Sequence, residues 1–222
     1  MTSEIGALLL GDARLPTGGH AHSSGLEPAL AAGMGAEDIP NYMESRLRTV
    51  GLVEAAAAVC ARRCAVDDPS RLRDVQDALA ARTPSAPLRH ASGMLGRGLA
   101  RLATRLWPQH PAVPELNAFA DAPLRPIALG VVAAAMALDD TRTARSCLYD
   151  DAQTVAAAAL KLLPVDPADT VAWLLDVSPV IEEVAGEALG CAEISTLPAH
   201  TAPLVEQWSL DHDATTRRIF VA

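Results

Sequence analysis

The chain has 222 residues, half of them apolar, only 3% aromatic, with a formal net charge of −9. This length buries a sizeable core, and the apolar fraction excludes a disordered chain. The negative charge argues against non-specific nucleic-acid binding and adhesion to anionic lipid, both of which need a positive field, and leaves open a basic partner or a metal cation. Alanine is abundant and favours helix, whereas strands call for β-branched or aromatic runs. The fold expected is therefore all-α, a compact single-domain bundle of about ten short helices over residues 1–222. Met1-Thr2-Ser3-Glu4 carries no basic residue and the apolar run Ala7 to Leu10 is short, so no secretory signal is read. The longest apolar stretch, Ile127 to Leu138, has about half the length a bilayer requires. Cys60, Cys64, Cys147 and Cys191 show no disulfide-framework spacing and are read as reduced thiols of a cytoplasmic protein.

In chain order, helices are predicted over Glu4–Leu10, Gly25–Ala32, Pro40–Cys64, Pro69–Ala81, Leu88–Leu106, Pro126–Leu138, Thr143–Leu163, Pro167–Asp176, Pro179–Leu189 and Pro203–His212. Several starts share one grammar: a capping side chain followed by proline at the first helical position, as in Asp68-Pro69, Asp166-Pro167 and Ser178-Pro179. The cap accepts an orphan backbone N–H, and proline has none to lose. Glu37 and Asp38 before Pro40 put negative charge at another start. The stretch from Trp107 to Pro126, with Pro108, Pro111, Pro114 and Pro123, reads as a connection with at most one short helix.

The segment from Gly11 to Glu27 is the oddest: glycine, short polar residues and histidine between two apolar helices. Gly18-Gly19 permits backbone angles other residues resist, Ser23 or Ser24 can cap the next helix, and Glu27 falls in its first turn. A phosphate loop would need a Walker lysine, which is missing. His20-x-His22 supplies two imidazoles, too few for a complete metal site. A serine–histidine nucleophile lacks visible partners. The plainest reading is a hydrogen-bonded turn joining two helices, which is compatible with partner binding.

Elsewhere, Arg97, Arg101 and Arg105 recur every four residues on one helix face: a solvated basic stripe or a docking face for an acidic partner. Lys161 sits among apolar neighbours and reads as a snorkelling lysine. Cys60 and Cys64 share a face and read as buried structural thiols. Arg217-Arg218-Ile219-Phe220 is either a frayed tail or a partner anchor.

The segment from Asp12 to Glu27 resembles the N-terminal signature of the urease accessory protein UreF family, through Asp12, Leu15, Pro16, Gly18, Gly19, His22, Ser23, Gly25, Leu26 and Glu27. His20 stands where an aromatic is usual, which looks like the actinobacterial branch. Arg82-Thr83-Pro84, Arg89-His90-Ala91-Ser92, Leu95-Gly96-Arg97, Arg125-Pro126, Leu160-Lys161-Leu162-Leu163-Pro164 and the ending His212 to Phe220 resemble later family patterns. Val165-Asp166-Pro167 departs from the Leu-Gly-Gln usual after that Pro. The resemblance implies an all-helical, non-catalytic homodimeric scaffold that binds UreD (also called UreH) and the GTPase UreG. It would modulate the GTPase and support nickel insertion into apo-urease. Arg14, Arg97, Lys161, Arg217, Arg218 and Phe220 become candidate partner contacts. His20, His22 and Glu27 become candidates along a nickel passage, with no tightly bound cofactor and nickel only as transient cargo. Pro16, Gly18, Gly19, Ser23 and Gly25 shape the turn. The competing reading from another class is a helical small-molecule-binding regulatory module; an enzyme comes third.

Overall fold

A computed structural model describes residues 3–12, 14–216 and 218–220. Among the described residues there are eleven α-helices and no strand: α1 (Ser3–Leu10), α2 (Leu26–Ala31), α3 (Ile39–Arg46), α4 (Leu52–Asp67), α5 (Leu72–Ala81), α6 (Ala86–Leu106), α7 (Ala112–Asn117), α8 (Arg125–Ala135), α9 (Asp140–Leu162), α10 (Pro167–Gly190) and α11 (Pro203–Asp213). A π-helical turn, Leu47–Gly51, joins α3 to α4, so the two form one continuous run and the bundle has ten rods.

The all-α expectation holds, and two caps work as read. Asp68 accepts from the backbone N–H of Ser70, and Asp166 from that of Ala168. The expected break at Ser178-Pro179 is corrected: α10 runs through it for 24 residues with Pro179 inside. A proline there leaves the carbonyl of Leu175 without its usual N–H partner. The hydroxyl of Ser178 donates to that carbonyl at 2.7 Å, so the residue read as a cap instead repairs the ladder. The proline-rich connection does contain one short helix, α7.

α4 occupies the centre, packed against α8, α9 and α10, and α6 covers the far side of α8. Ala55, Ala56, Ala57 and Ala58 of α4 are fully buried, and so is most of α8. Small side chains let these backbones close in: a Cβ on Gly130 would lie 2.5 Å from the carbonyl oxygen of Ala58. Larger apolar groups fill the remaining space, with Leu26, Ile39, Leu47, Leu72, Ile127 and Leu148 wholly buried. Each contributes roughly 1.5–3 kcal/mol of burial. The four cysteines are free; Cys60 and Cys64 are buried, as read for structural thiols, Cys147 is buried as well, and Cys191 is partly so. None of the helices is long and apolar enough to cross a membrane, among the described residues.

Candidate functional site: a glycine–histidine turn on a buried ionic floor

One glycine of α6 and two left-handed glycines build the turn. Gly98 faces Thr17 so closely that a Cβ would lie 2.5 Å from the Thr17 carbonyl oxygen. The turn is thus laid directly on helix backbone. Gly18 (φ 91°) and Gly25 (φ 80°) take the left-handed conformation that costs other residues energy. Gly25 also has no room for a side chain, since a Cβ would sit 2.7 Å from the Tyr42 hydroxyl. That hydroxyl donates to the carbonyl of Ser24 at 2.7 Å. The residue capping α2 is Gly25, without a side-chain cap bond, rather than Ser23 or Ser24, although the Ser23 Oγ accepts from the N–H of Glu27 at 3.3 Å. Pro16 lies exposed at the rim of the turn.

The two histidines part company. His20, in a short 3-10 turn (Gly19–Ala21), is exposed, while His22 is buried. Burial, helped by the charge of Arg125, lowers the pKa of His22 below the ordinary imidazole value and keeps the ring neutral near pH 7. Among the described residues, no three His, Cys, Asp or Glu side chains converge as a metal-binding group.

Beneath the turn lie two buried arginine clusters. Arg46, the last residue of α3, makes a two-pronged pair with Asp151 of α9, Nε to Oδ2 at 3.0 Å and Nη2 to Oδ1 at 2.7 Å. Ser24 adds a hydroxyl bond to the same carboxylate at 3.4 Å. Arg125, at the start of α8, reaches Glu54 at 2.7 Å, Asp150 at 2.6 Å and the carbonyl of Cys147 at 3.2 Å. Burial opposes the charge of Asp151, but Arg46 outweighs it and holds the carboxyl below its usual range. Burial dominates at Glu54 and raises its pKa despite Arg125. Turn, floor, α11 and tail border a cavity of about 160 Å3, into which Gln153 also faces. The Oε1 of Gln153 is a buried acceptor with no hydrogen-bond partner among the described residues.

The tail folds back onto this site. The carboxylate of Glu27 accepts from the backbone N–H of Ile219 at 2.7 Å and of Phe220 at 2.8 Å, with His212 Nε2 at 3.7 Å. Lys161 bridges the two segments. Its Nζ donates to the carbonyl of His20 at 3.0 Å and lies 5.0 Å from the centroid of the Phe220 ring.

The structure therefore brings His20, His22, Glu27, Lys161 and Phe220 together, although more than 190 residues separate the ends. It does not present Phe220 as an exposed anchor. The ring is 3% exposed and seated in its own chain, so the frayed-tail expectation is corrected for residues 218–220. Arg218 sits beside Asp213 at 3.5 Å on the surface; Arg217 lies outside the described residues. Arg14 folds onto Asp12, whose carboxyl it holds down to about 2 through a side-chain hydrogen bond, on the outer edge of the turn. Arg97 stands apart on the exposed face of α6.

Sequence reasoning missed the ionic floor. One signal was available: Asp151 falls in helical register with Cys147, Leu148, Ala152 and Val155, all buried. Arg125 likewise heads an otherwise apolar helix.

Fold and site together define an all-helical protein whose rigid, ion-paired interior supports a glycine–histidine turn locked to the C-terminal segment. Comparison with known proteins supplies the family. The UreF family model matches residues 34–178. Proteins described as urease accessory protein UreF are similar over the whole length of both chains, at 39% identity in Mycobacterium tuberculosis, 38% in Mycobacterium sp. (strain JLS) and 36% in Mycolicibacterium vanbaalenii. The chain belongs to the UreF family of urease accessory proteins, which are non-catalytic factors of urease maturation. The turn and the tail fall outside the stretch that the family model matches, but within the full-length similarity to these relatives.

Proposed function

We propose that this chain is a positional scaffold in the maturation of the urease metallocentre. It binds UreD (UreH) and the GTPase UreG, modulates the GTPase, and supports nickel insertion into apo-urease, acting as a cytoplasmic homodimer. Nickel is cargo: His20, His22 and Glu27 offer brief nitrogen and oxygen contacts and no tight site. In the resting chain both oxygens of Glu27 are occupied by the tail amides, so any contact of Glu27 with nickel requires the tail to shift.

The observation that carries this reading is the closure of tail on turn through Glu27 and Lys161. It gathers the candidate residues His20, His22, Glu27, Lys161 and Phe220 into one cluster, with His20 and Lys161 at the surface and His22 and Phe220 beneath, held by backbone and ring contacts that a partner can release. Rigid placement on a preorganised support reduces the ordering cost of binding. Co-purification with UreD and UreG, with and without residues 217–222, tests it. Truncation is expected to weaken complex formation; full recovery of both partners by the truncated chain would contradict the role given to the tail.

A further inference from the structure

We infer that the exposed Arg97–Arg101–Arg105 face of α6, with the cleft beside it, is a docking surface for an acidic peptide segment of a protein partner. The inference rests on the scaffold reading above but concerns a different face of the molecule.

α6 contains no acidic residue in 21 positions, yet carries Arg89, Arg97, Arg101 and Arg105 in a chain of net charge −9. Many arginines elsewhere find a carboxylate, among them Arg46, Arg48, Arg62, Arg63, Arg125, Arg142 and Arg145, and Arg73, Arg82 and Arg89 donate to backbone carbonyls instead. Among the described residues, Arg97, Arg101 and Arg105 are exposed and form no ion pair or hydrogen bond, although Asp121 borders the same cleft. Three guanidinium forks are thus left free on one helix face.

The cleft beside them is open, with a volume of about 940 Å3, and its far side is formed by Asn117, Phe119 and Asp121. Its walls are braced independently of the arginines. Asn117 donates to Thr104 at 2.9 Å, tying α7 to α6. Arg73 donates to the carbonyl of Ala118 at 3.2 Å and stacks 5.2 Å from the centre of the Phe119 ring. Gln76 donates to the carbonyl of Ala122 at 3.1 Å. A rigid cleft flanked by unpaired guanidinium groups suits carboxylate recognition, because the planar fork binds carboxylates in a two-pronged fashion.

Spacing and charge choose the occupant. Four-residue steps along α6 put the guanidiniums roughly 6 Å apart along the axis, a spacing that carboxylates at i, i+4 and i+8 of a partner helix reproduce. The basic face extends only about 12 Å, comparable to the screening length of about 8 Å at physiological salt. A longer polyanion or an anionic membrane would overlie the acidic remainder of the chain and be repelled; a short acidic protein segment is not.

The test uses the full-length chain and a fluorescent, alanine-based helical peptide with Glu at i, i+4 and i+8, followed by fluorescence polarisation. Binding is expected, weakened at least about tenfold between 50 and 500 mM NaCl. It should weaken about tenfold or more again in R97A/R101A/R105A, whose thermal unfolding should match the parent. The same peptide with Lys for Glu should not bind. Equal binding by the triple variant, no binding by the parent, or stronger binding to an RNA oligonucleotide or phosphatidylserine vesicles than to the peptide would each overturn the proposal. None of these outcomes bears on the 217–222 truncation, so this face and the scaffold reading can fail separately.

Discussion

Arg125 and Arg97 sit on neighbouring helices, α8 and α6, and meet opposite fates. Arg125 is sealed beneath the turn among Glu54, Asp150 and the carbonyl of Cys147. Arg97 stands in solvent with no partner among the described residues. The same side chain serves architecture in one place and is left available in the other, and the difference lies in surroundings that local sequence does not display. In the floor, the cost of burying charge is offset by near-complete pairing. On α6, nothing is offset because nothing is buried.

The comparison breaks most visibly in the floor. Arg46→Met strands the Asp151 carboxylate in the interior and is expected to cost about 3–5 kcal/mol in denaturant unfolding. Replacing both partners, Arg46→Met with Asp151→Leu, should recover most of that loss; if it does not, the pair contributes more than mutual neutralisation. Acid probes the same site. Arg46 holds the Asp151 pKa below its unfolded value, so its stabilisation is complete above about pH 4 and is lost as pH falls through the lower folded value. Asp151→Asn should therefore flatten the acid limb of the stability–pH curve below pH 4. An unchanged limb would assign acid sensitivity to other carboxylates.

Next in size is close packing. A Cβ on Gly96 would overlap the carbonyl oxygen of Pro123, only 1.8 Å away, so Gly96→Ala should cost about 1–3 kcal/mol by overpacking, readable as a lower Tm. Glu27→Ala removes the acceptor for two tail amides. Its cost is expected at about 1–3 kcal/mol, confined to the end of the chain. Hydrogen exchange should show the Ile219 and Phe220 amides losing protection while α4 keeps it; a uniform loss would make Glu27 a general structural residue. Smallest of all, R97A/R101A/R105A should change stability by no more than about 0.5 kcal/mol per site, because no contact is lost. A larger drop would mean that the α6 arginines are architectural after all.

How much of this was legible in sequence follows from contact range. Helix positions and the caps at Asp68 and Asp166 are local events, and composition with proline and glycine punctuation revealed them. Ser178-Pro179 misled because the same dipeptide that starts a helix can persist inside one when the serine hydroxyl serves the carbonyl that proline abandons. The turn was conspicuous, but the behaviour of its histidines was not. His20 and His22 lie two residues apart, and only the floor beneath them decides that one faces solvent and the other Arg125. The pairings Arg46–Asp151 and Glu27–tail span 105 and more than 190 residues, and no periodicity in either segment announces its partner.

The most direct measurement of the central claim is the nickel content of urease purified from cells lacking this chain and resupplied with either the parent or Glu27→Ala. Locking the tail to the turn is held to build the working face, so the account predicts urease fully charged by the parent and markedly nickel-poor with the variant at equal chain abundance. Urease equally charged in both would contradict it.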